Sequence, residues 1–255
     1  MRAPAAPTRR QRGLLIPAIL LLGALAVLIG LGTWQLERRE WKQALIAELD
    51  RKLAAAPVDL PPRQRWPQLN AATDEFRRVK FLAEFVPDQE ALVYTSGSSL
   101  RPDVTGPGYW VLSPARLAGG SIVVINRGFV PEGKQDPQAR REGQPSGAVE
   151  ILGAMRWPEA RGAFTPDDQP AKNLWFARDP AAMAAAKGWG DIAPFYIDEE
   201  APIPPGGLPK PGPLKPSLPN NHLQYAVTWY GLALMFLISA VFFERARRRD
   251  ARASI

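Results

Sequence analysis

The only histidine of the 255-residue chain, His222, lies in the stretch PNNHLQYAVTWYGLALMF, at the start of an apolar segment. A three-ligand catalytic zinc site and a Ser-His-Asp triad each need a histidine, and in this chain only position 222 provides one. One imidazole is enough, however, to serve as the protein ligand on one face of a haem iron. The positive end of a helix dipole at this point would keep the ring neutral and able to bind metal. A lone histidine at such an entrance is more often an interfacial or capping residue, and the residues alone leave both roles open.

The composition excludes most other chemistry. There is no cysteine, which rules out disulfides, zinc–thiolate sites and covalent c-type haem attachment, and the four methionines are scattered. No Gly-rich phosphate loop or nucleophile–base pair is present in the sequence. Two carboxylate pairs, Asp167-Asp168 and Glu199-Glu200, lie among prolines and are expected in solvated loops. The chain is therefore predicted not to be an enzyme.

Two uncharged apolar segments, 13–34 and 223–243, are each long enough to cross about 30 Å of hydrocarbon as a helix. The formal charge of +7 lies in the tails, with +4 in residues 1–36 and +3 in residues 244–255. Because basic residues favour the cytoplasmic side, both tails are predicted to be cytoplasmic and the large loop to lie outside. A basic excess placed this way indicates membrane topology and no nucleic-acid partner.

The first apolar segment has competing interpretations. Arg9-Arg10 and the small residues Gly30 and Gly32 are compatible with a twin-arginine or cleaved signal peptide. The apolar region is, however, longer than the ~7–15 residues of a signal peptide. A mitochondrial transit peptide would need more than the dozen residues that precede the segment. We therefore expect a retained anchor in a bacterial inner (plasma) membrane.

The region between the two segments changes from helical to strand-like patterning. Strands are predicted at 76–86, 90–97, 108–117, 121–131, 148–157 and 195–200. A short helix is predicted at 178–188, with Asp179 as N-cap, Pro180 at its first position and Gly188 after its end. The Pro-rich stretch 202–219 is expected to be extended and to pack poorly.

These patterns predict an α+β membrane protein in which two transmembrane helices flank a mostly antiparallel β-barrel or sandwich-like external domain. The predicted organisation is a cytoplasmic basic tail (1–12), transmembrane helix 1 (13–34), a helical extension (35–56), an external β-rich domain (57–201), a Pro-rich linker (202–219), transmembrane helix 2 (220–243) and a second cytoplasmic basic tail (244–255).

Seven stretches of the sequence together resemble the Surfeit locus protein one family and follow its order. They are GTWQLERREWK (32–42), RRVKFLAEFVP (77–87), GYWVLSPARL (108–117), IVVINRGFVP (122–131), FTPDDQPAKNLWFARD (164–179), APFYID (193–198) and NNHLQYAVTWYGLA (220–233). Members of that family are membrane proteins that assist assembly of haem-copper cytochrome c oxidase. The resemblance implies that the chain takes up haem a, that it supports haem insertion into oxidase subunit I, and that His222 is the haem ligand.

Given this resemblance, the predicted haem-binding residues are His222, Trp34, Gln35, Arg38, Asn221, Gln224, Tyr225 and Trp229. Trp34 and Trp229 would be aromatic walls for a porphyrin standing between the spans, although an aromatic-belt role also explains Trp34. Arg38 would pair with a propionate. Asn221, Gln224 and Tyr225 would orient the second ring nitrogen of the histidine or contact propionates.

The resulting prediction is a non-catalytic oxidase assembly factor. Its predicted partners are subunit I, the lipid bilayer and, as a further candidate, haem a synthase. The alternative is a scaffold that binds oxidase subunits without haem. One motif, Asn126-Arg127-Gly128, is predicted to be a strand end or bulge that needs its glycine, with a contact surface for oxidase or haem as the other interpretation.

Overall fold

The computed structural model describes residues 9–253. Residues 1–8 of the predicted N-terminal tail and residues 254–255 of the C-terminal tail lie outside the described residues. The chain divides into two compact units. One is helical and, within the described residues, consists of residues 9–47 and 219–253; the other, the β-domain, is Glu48–Leu218.

The helices and strands follow one another along the chain as α1 (Arg9–Ala54), β1 (Val58–Asp59), α2 (Ala71–Asp74), β2 (Arg78–Phe85), β3 (Ala91–Gly97), β4 (Thr105–Arg116), β5 (Ile122–Pro131), β6 (Ala148–Arg156), β7 (Leu174–Trp175), α3 (Pro180–Lys187), β8 (Ile192–Ala201) and α4 (His222–Ala253). Short 3₁₀ turns lie at Arg63–Gln68, Pro137–Gly143, Pro170–Lys172 and Pro205–Gly207. Helices α1 and α4 are both long and apolar enough to cross a membrane.

Strands β2, β6, β8, β5 and β4 form a closed barrel. They hydrogen-bond in that order, and the pairing of Phe85 with Ala115 joins β2 to β4 and closes the circle. Four of the five junctions are antiparallel and the β5–β8 junction is parallel. Strands β3 and β7 extend the sheet beyond β4, and β1 pairs with β2. The predicted fold class, two long apolar helices with a mostly antiparallel β-barrel between them in the chain, is confirmed.

Two apolar cores result because successive side chains of a strand point to opposite faces. The core inside the barrel contains side chains with no exposed surface, among them Val79, Ile125, Ile151, Met155, Phe195 and Ile197. The core outside the barrel includes α3 and contains Trp110, Leu112, Trp175, Met183 and Tyr196. Strand β5 is covered on both faces, because it contributes Ile125 to the first core and Val124 to the second.

A buried polar cluster surrounds Asp198 of β8. The carboxylate accepts hydrogen bonds from Nδ2 of Asn126 (2.6 Å) and Nη1 of Arg156 (2.8 Å), and Nη1 of Arg178 lies 3.6 Å away. Arg178 in turn donates from Nη2 to Glu159 at 2.5 Å. The buried carboxylate is thus matched by several donors, as a buried charge in a folded protein must be.

The expectation that Glu199-Glu200 lies in a solvated loop is wrong. Both residues belong to β8, and they are 7% and 8% exposed. Glu200 accepts a hydrogen bond from Nη2 of Arg78 at 2.6 Å. The prolines misled the prediction because those from Pro202 onward follow the strand, and Pro194 lies within β8 without ending it.

The Pro-rich segment 202–219 packs against the β-domain, in contrast to its predicted poor packing. Residues between its prolines keep their N–H groups, and these donate at Lys210 to Phe129 O (2.8 Å), at Gly212 to Glu199 O (3.0 Å), at Lys215 to Leu100 O (2.8 Å) and at Ser217 to Ser99 O (2.8 Å). Pro211 and Leu214 are buried. The part of the segment from Lys210 to Ser217 is therefore fixed by donors that alternate with prolines.

Candidate functional site

Helices α1 and α4 pack together through small residues. Ala226 and Ala233 of α4 are only 1% and 7% exposed, and Gly32 of α1 is buried. A Cβ atom on Gly32 would lie 2.8 Å from Cε1 and Cζ of Tyr230, so a larger residue would push the two helices apart. The ring of Tyr230 therefore fills the space between the helices at this level.

Toward the N-terminal end of α4, polar contacts replace the apolar packing. The pairs are Thr33 Oγ1 with Tyr230 OH (3.1 Å), Gln35 Oε1 with His222 Nδ1 (2.7 Å), Arg39 O with Asn220 Nδ2 (3.4 Å) and Lys42 Nζ with Pro219 O (2.5 Å). The α1 members Gln35, Arg39 and Lys42 are four and three residues apart and so share one face of the helix. This face, together with residues 219–222, forms the polar end of the helix pair.

His222 lies at the first position of α4 and is half-buried. Its Nδ1 is held by Gln35 at a distance typical of a good hydrogen bond. No described residue makes a hydrogen bond to the other ring nitrogen, Nε2. One ring nitrogen held by the protein and the other open is the arrangement found in metal-ligating histidines.

The sequence neighbours of His222 were expected to orient its second ring nitrogen, and in the described residues they make no hydrogen bond to it. Asn221, Gln224 and Tyr225 are exposed, and within the described part of the chain none of their side chains hydrogen-bonds to the imidazole. The partner is Gln35, which is remote in sequence. Contacts of the three neighbours with propionates stay a prediction.

The predicted aromatic and basic residues differ in their exposure and in their contacts. Trp34 is 50% exposed, whereas Trp229 is half-buried. The guanidinium carbon of Arg38 lies 4.3 Å from the ring centroid of Trp41, in cation–π contact. Roles for Trp34, Trp229 and Arg38 in haem binding therefore stay predictions.

Three polar residues of this end escaped the sequence reasoning: Arg39, Lys42 and Asn220. Arg39 is half-buried, and its guanidinium makes no ion pair or hydrogen bond to any residue that the structure describes. The spacing from Gln35 was an available signal, since positions 39 and 42 continue its helix face. Arg39 is thus a further cation of the polar end, one helical position after the predicted Arg38.

In the β-domain, Asn126-Arg127-Gly128 is confirmed as a bulge. Strand β5 runs through the motif, and the pairing with β4 shifts there by one residue. Gly128 has φ 118°, and a Cβ on it would lie 2.2 Å from the carbonyl oxygen of Lys210. Arg127 is buried and donates to the carbonyl of Gly143 at 2.5 Å, so the motif has a structural function.

Glu199 is the most perturbed carboxyl group of the β-domain. Burial raises its pKa to about 8, and the nearby charge of Arg127 opposes this only in part. No side-chain hydrogen bond to its carboxyl group occurs within the described residues. Across residues 9–253, no group of three or more His, Asp or Glu side chains could hold a metal ion. The β-domain thus has a buried acid but offers no metal centre of this kind.

The sequence is similar to those of one protein family over most of its length. The profile of the SURF1 family matches residues 22–234. The chain is 37% identical over 235 residues to a SURF1-like protein of Monosiga brevicollis, covering 88% of this chain and 86% of the other. It is 35% identical over 242 residues to Surfeit locus protein 1 of Homo sapiens, covering 91% and 78%. The chain therefore belongs to the SURF1 family.

Proposed function

We propose that this chain is an assembly factor for haem-copper cytochrome c oxidase, and that it holds haem a at the polar end of the helix pair before insertion into subunit I. The observation that carries the proposal is the open Nε2 of His222 in a chain of this family. Family membership supports the role in oxidase assembly. The histidine geometry supports the haem ligand.

The proposal includes a membrane topology. Residues 13–34 and 220–243 would cross the bilayer, and the charge of the tails would keep both termini in the cytoplasm. The β-domain would then be periplasmic, and His222 would lie near the outer membrane face. The membrane in this proposal is a bacterial plasma membrane.

The residues of the polar end fit a haem, with one restriction. His222 would supply the axial nitrogen, and the cations Arg38, Arg39 and Lys42 are candidates for the propionates. The ring of Tyr230 against Gly32 leaves no room for a porphyrin between the helices at that level. The haem would therefore lie at the polar end of the pair, and Trp34 and Trp229 would border it there without forming a closed slot.

Transfer to another protein requires moderate affinity. A single histidine ligand on a half-exposed surface binds haem less tightly than a buried site with two axial ligands. The chain would shield the haem from aggregation and release it when subunit I offers stronger ligation. No step of this process breaks or forms a covalent bond, which fits a non-catalytic protein.

The test is an absorption spectrum of the detergent-purified protein from cells that make haem a. Wild type should carry haem a, and His222→Ala should lose most of it, while Thr228→Val, an exposed position of the same helix outside the predicted site, keeps it. Unchanged haem content and spectrum in His222→Ala would refute the ligand assignment. Reproducible absence of haem from the wild type would favour a scaffold that binds oxidase subunits without haem.

A further inference from the structure

Gln35 and His222 form a hydrogen bond between two helices that are far apart in the chain. The distance from Gln35 Oε1 to His222 Nδ1 is 2.7 Å. An amide oxygen can only accept, so the hydrogen of this bond belongs to Nδ1. A neutral imidazole has one N–H group, and its other nitrogen then has a free lone pair. The contact with Gln35 thus determines which nitrogen of His222 can bind a metal.

We infer that Gln35 is a positioning residue that holds His222 in the Nδ1–H tautomer and directs Nε2 to the iron. The part of this inference that concerns haem rests on the proposed function. The part that concerns the tautomer depends only on the contact between the two side chains. In this arrangement, α4 supplies the ligand and α1 sets its protonation and its orientation.

The chemical nature of Gln35 also suits a haem that must be released. A partner that accepts the N–H of a ligating histidine makes the other nitrogen a better donor to the metal. A carboxylate would do this more strongly, because hydrogen bonds to charged acceptors are about twice as strong as neutral ones. A neutral amide gives orientation with a smaller gain in ligand strength. Gln35→Glu should therefore bind haem a more tightly and release it more slowly than the wild type.

The tautomer can be measured without haem, because the chain contains one histidine. Protein with ¹⁵N-labelled histidine, purified without a histidine tag, gives the two ring nitrogens of His222 alone. The spectrum is recorded in detergent near pH 9, well above the usual histidine pKa of about 6.5. The nitrogen that couples to both carbon-bound ring protons is Nε2, which assigns the pair.

In the wild type we expect the proton on Nδ1. Gln35→Leu should move it to Nε2, the tautomer that free imidazole side chains favour in water. Thr33→Val is the matched control, since it removes a different hydrogen bond between the helices, to Tyr230, and leaves the imidazole untouched. A wild-type proton on Nε2 would mean that the amide is reversed, and it would overturn the inference. An unchanged tautomer in Gln35→Leu would overturn it as well.

The second measurement is titration of the same proteins with haem a. Loss of the partner of a metal-ligating histidine typically weakens binding by about 10–100-fold, and we expect this for Gln35→Leu. Thr33→Val should bind like the wild type, and Gln35→Glu more tightly. Equal affinity of Gln35→Leu and wild type would refute the positioning role. If the wild type binds no haem a, the proposed function fails, and the tautomer experiment still decides the assignment of Gln35.

Discussion

Glu199 should make the stability of the β-domain depend on pH in a direction opposite to that of most carboxylates. The folded protein raises the pKa of Glu199 from 4.5 to about 8 because the side chain is buried. Between these two values the unfolded chain has lost a proton that the folded chain retains. The free energy of unfolding therefore falls as the pH rises through this interval, and the contribution of Glu199 is complete only below about pH 4.5.

The size of this loss in the free energy of unfolding follows from the interval between the two pKa values of Glu199. It spans about 3.5 pH units, and each unit corresponds to roughly 1.4 kcal/mol, so the loss between pH 4.5 and pH 8 is at most about 5 kcal/mol. Glu199→Gln keeps the shape of the side chain but cannot ionise. The variant should match the wild type near pH 4.5 and exceed its stability by several kcal/mol near pH 8.5.

Urea unfolding of the full chain in detergent, followed by tryptophan fluorescence, measures this difference. Four tryptophans buried in the β-domain report its unfolding: Trp66, Trp110, Trp175 and Trp189. Other titrating groups are common to both proteins, so the difference between their pH curves isolates Glu199. Glu200→Gln is the adjacent control; it removes the negative charge and one of the two oxygens that accept from Arg78, and should destabilise by about 1.5–3 kcal/mol. Parallel pH curves for wild type and Glu199→Gln would show that Glu199 has the same protonation in both states and would refute the reasoning.

Two further predictions concern the bulge and the topology. Gly128→Ala should destabilise the β-domain by about 2–5 kcal/mol in the same urea assay. The new Cβ would lie 2.2 Å from a backbone carbonyl oxygen of the Pro-rich segment, and the residue has φ 118°. If the variant were as stable as the wild type, the tight contact with the Pro-rich segment would be contradicted. Since the chain has no cysteine, single cysteines can report its topology. A membrane-impermeant maleimide should label Glu132→Cys in intact spheroplasts but Ser254→Cys only after lysis, and the reverse pattern would refute the proposed orientation.

Local patterns in the sequence were sufficient to predict most elements of the β-domain. Helix α3 begins and ends as its capping residues indicated: the side chain of Asp179 accepts from two backbone N–H groups, and Gly188 has the left-handed conformation at the end. The predicted strands recur within a few residues because alternation and turn residues are local signals. The closure of the barrel between β2 and β4 is a contact between distant strands, and no local signal encodes it.

Buried charges were harder to predict than apolar packing. The partners of Asp198 include Asn126 and Arg156, which are 72 and 42 residues away in sequence. A charged residue is normally exposed unless it is paired, and the pair becomes visible only in the folded barrel. The Pro-rich segment escaped prediction for the same reason, because the acceptors of its N–H groups belong to distant strands and loops.

The candidate site shows how helix packing and ligand placement depend on one another. Gly32 lies one turn before Gln35 on the same face of α1, and Ala226 lies one turn after His222 on α4. The close approach that these small residues permit sets the distance between the two helices at the neighbouring turn. At that distance the amide of Gln35 reaches Nδ1 of His222, and with a wider separation it would not. His222 was recognisable from its own sequence context, but its partner depends on the small residues one turn away, so the packing of the helices is part of the site.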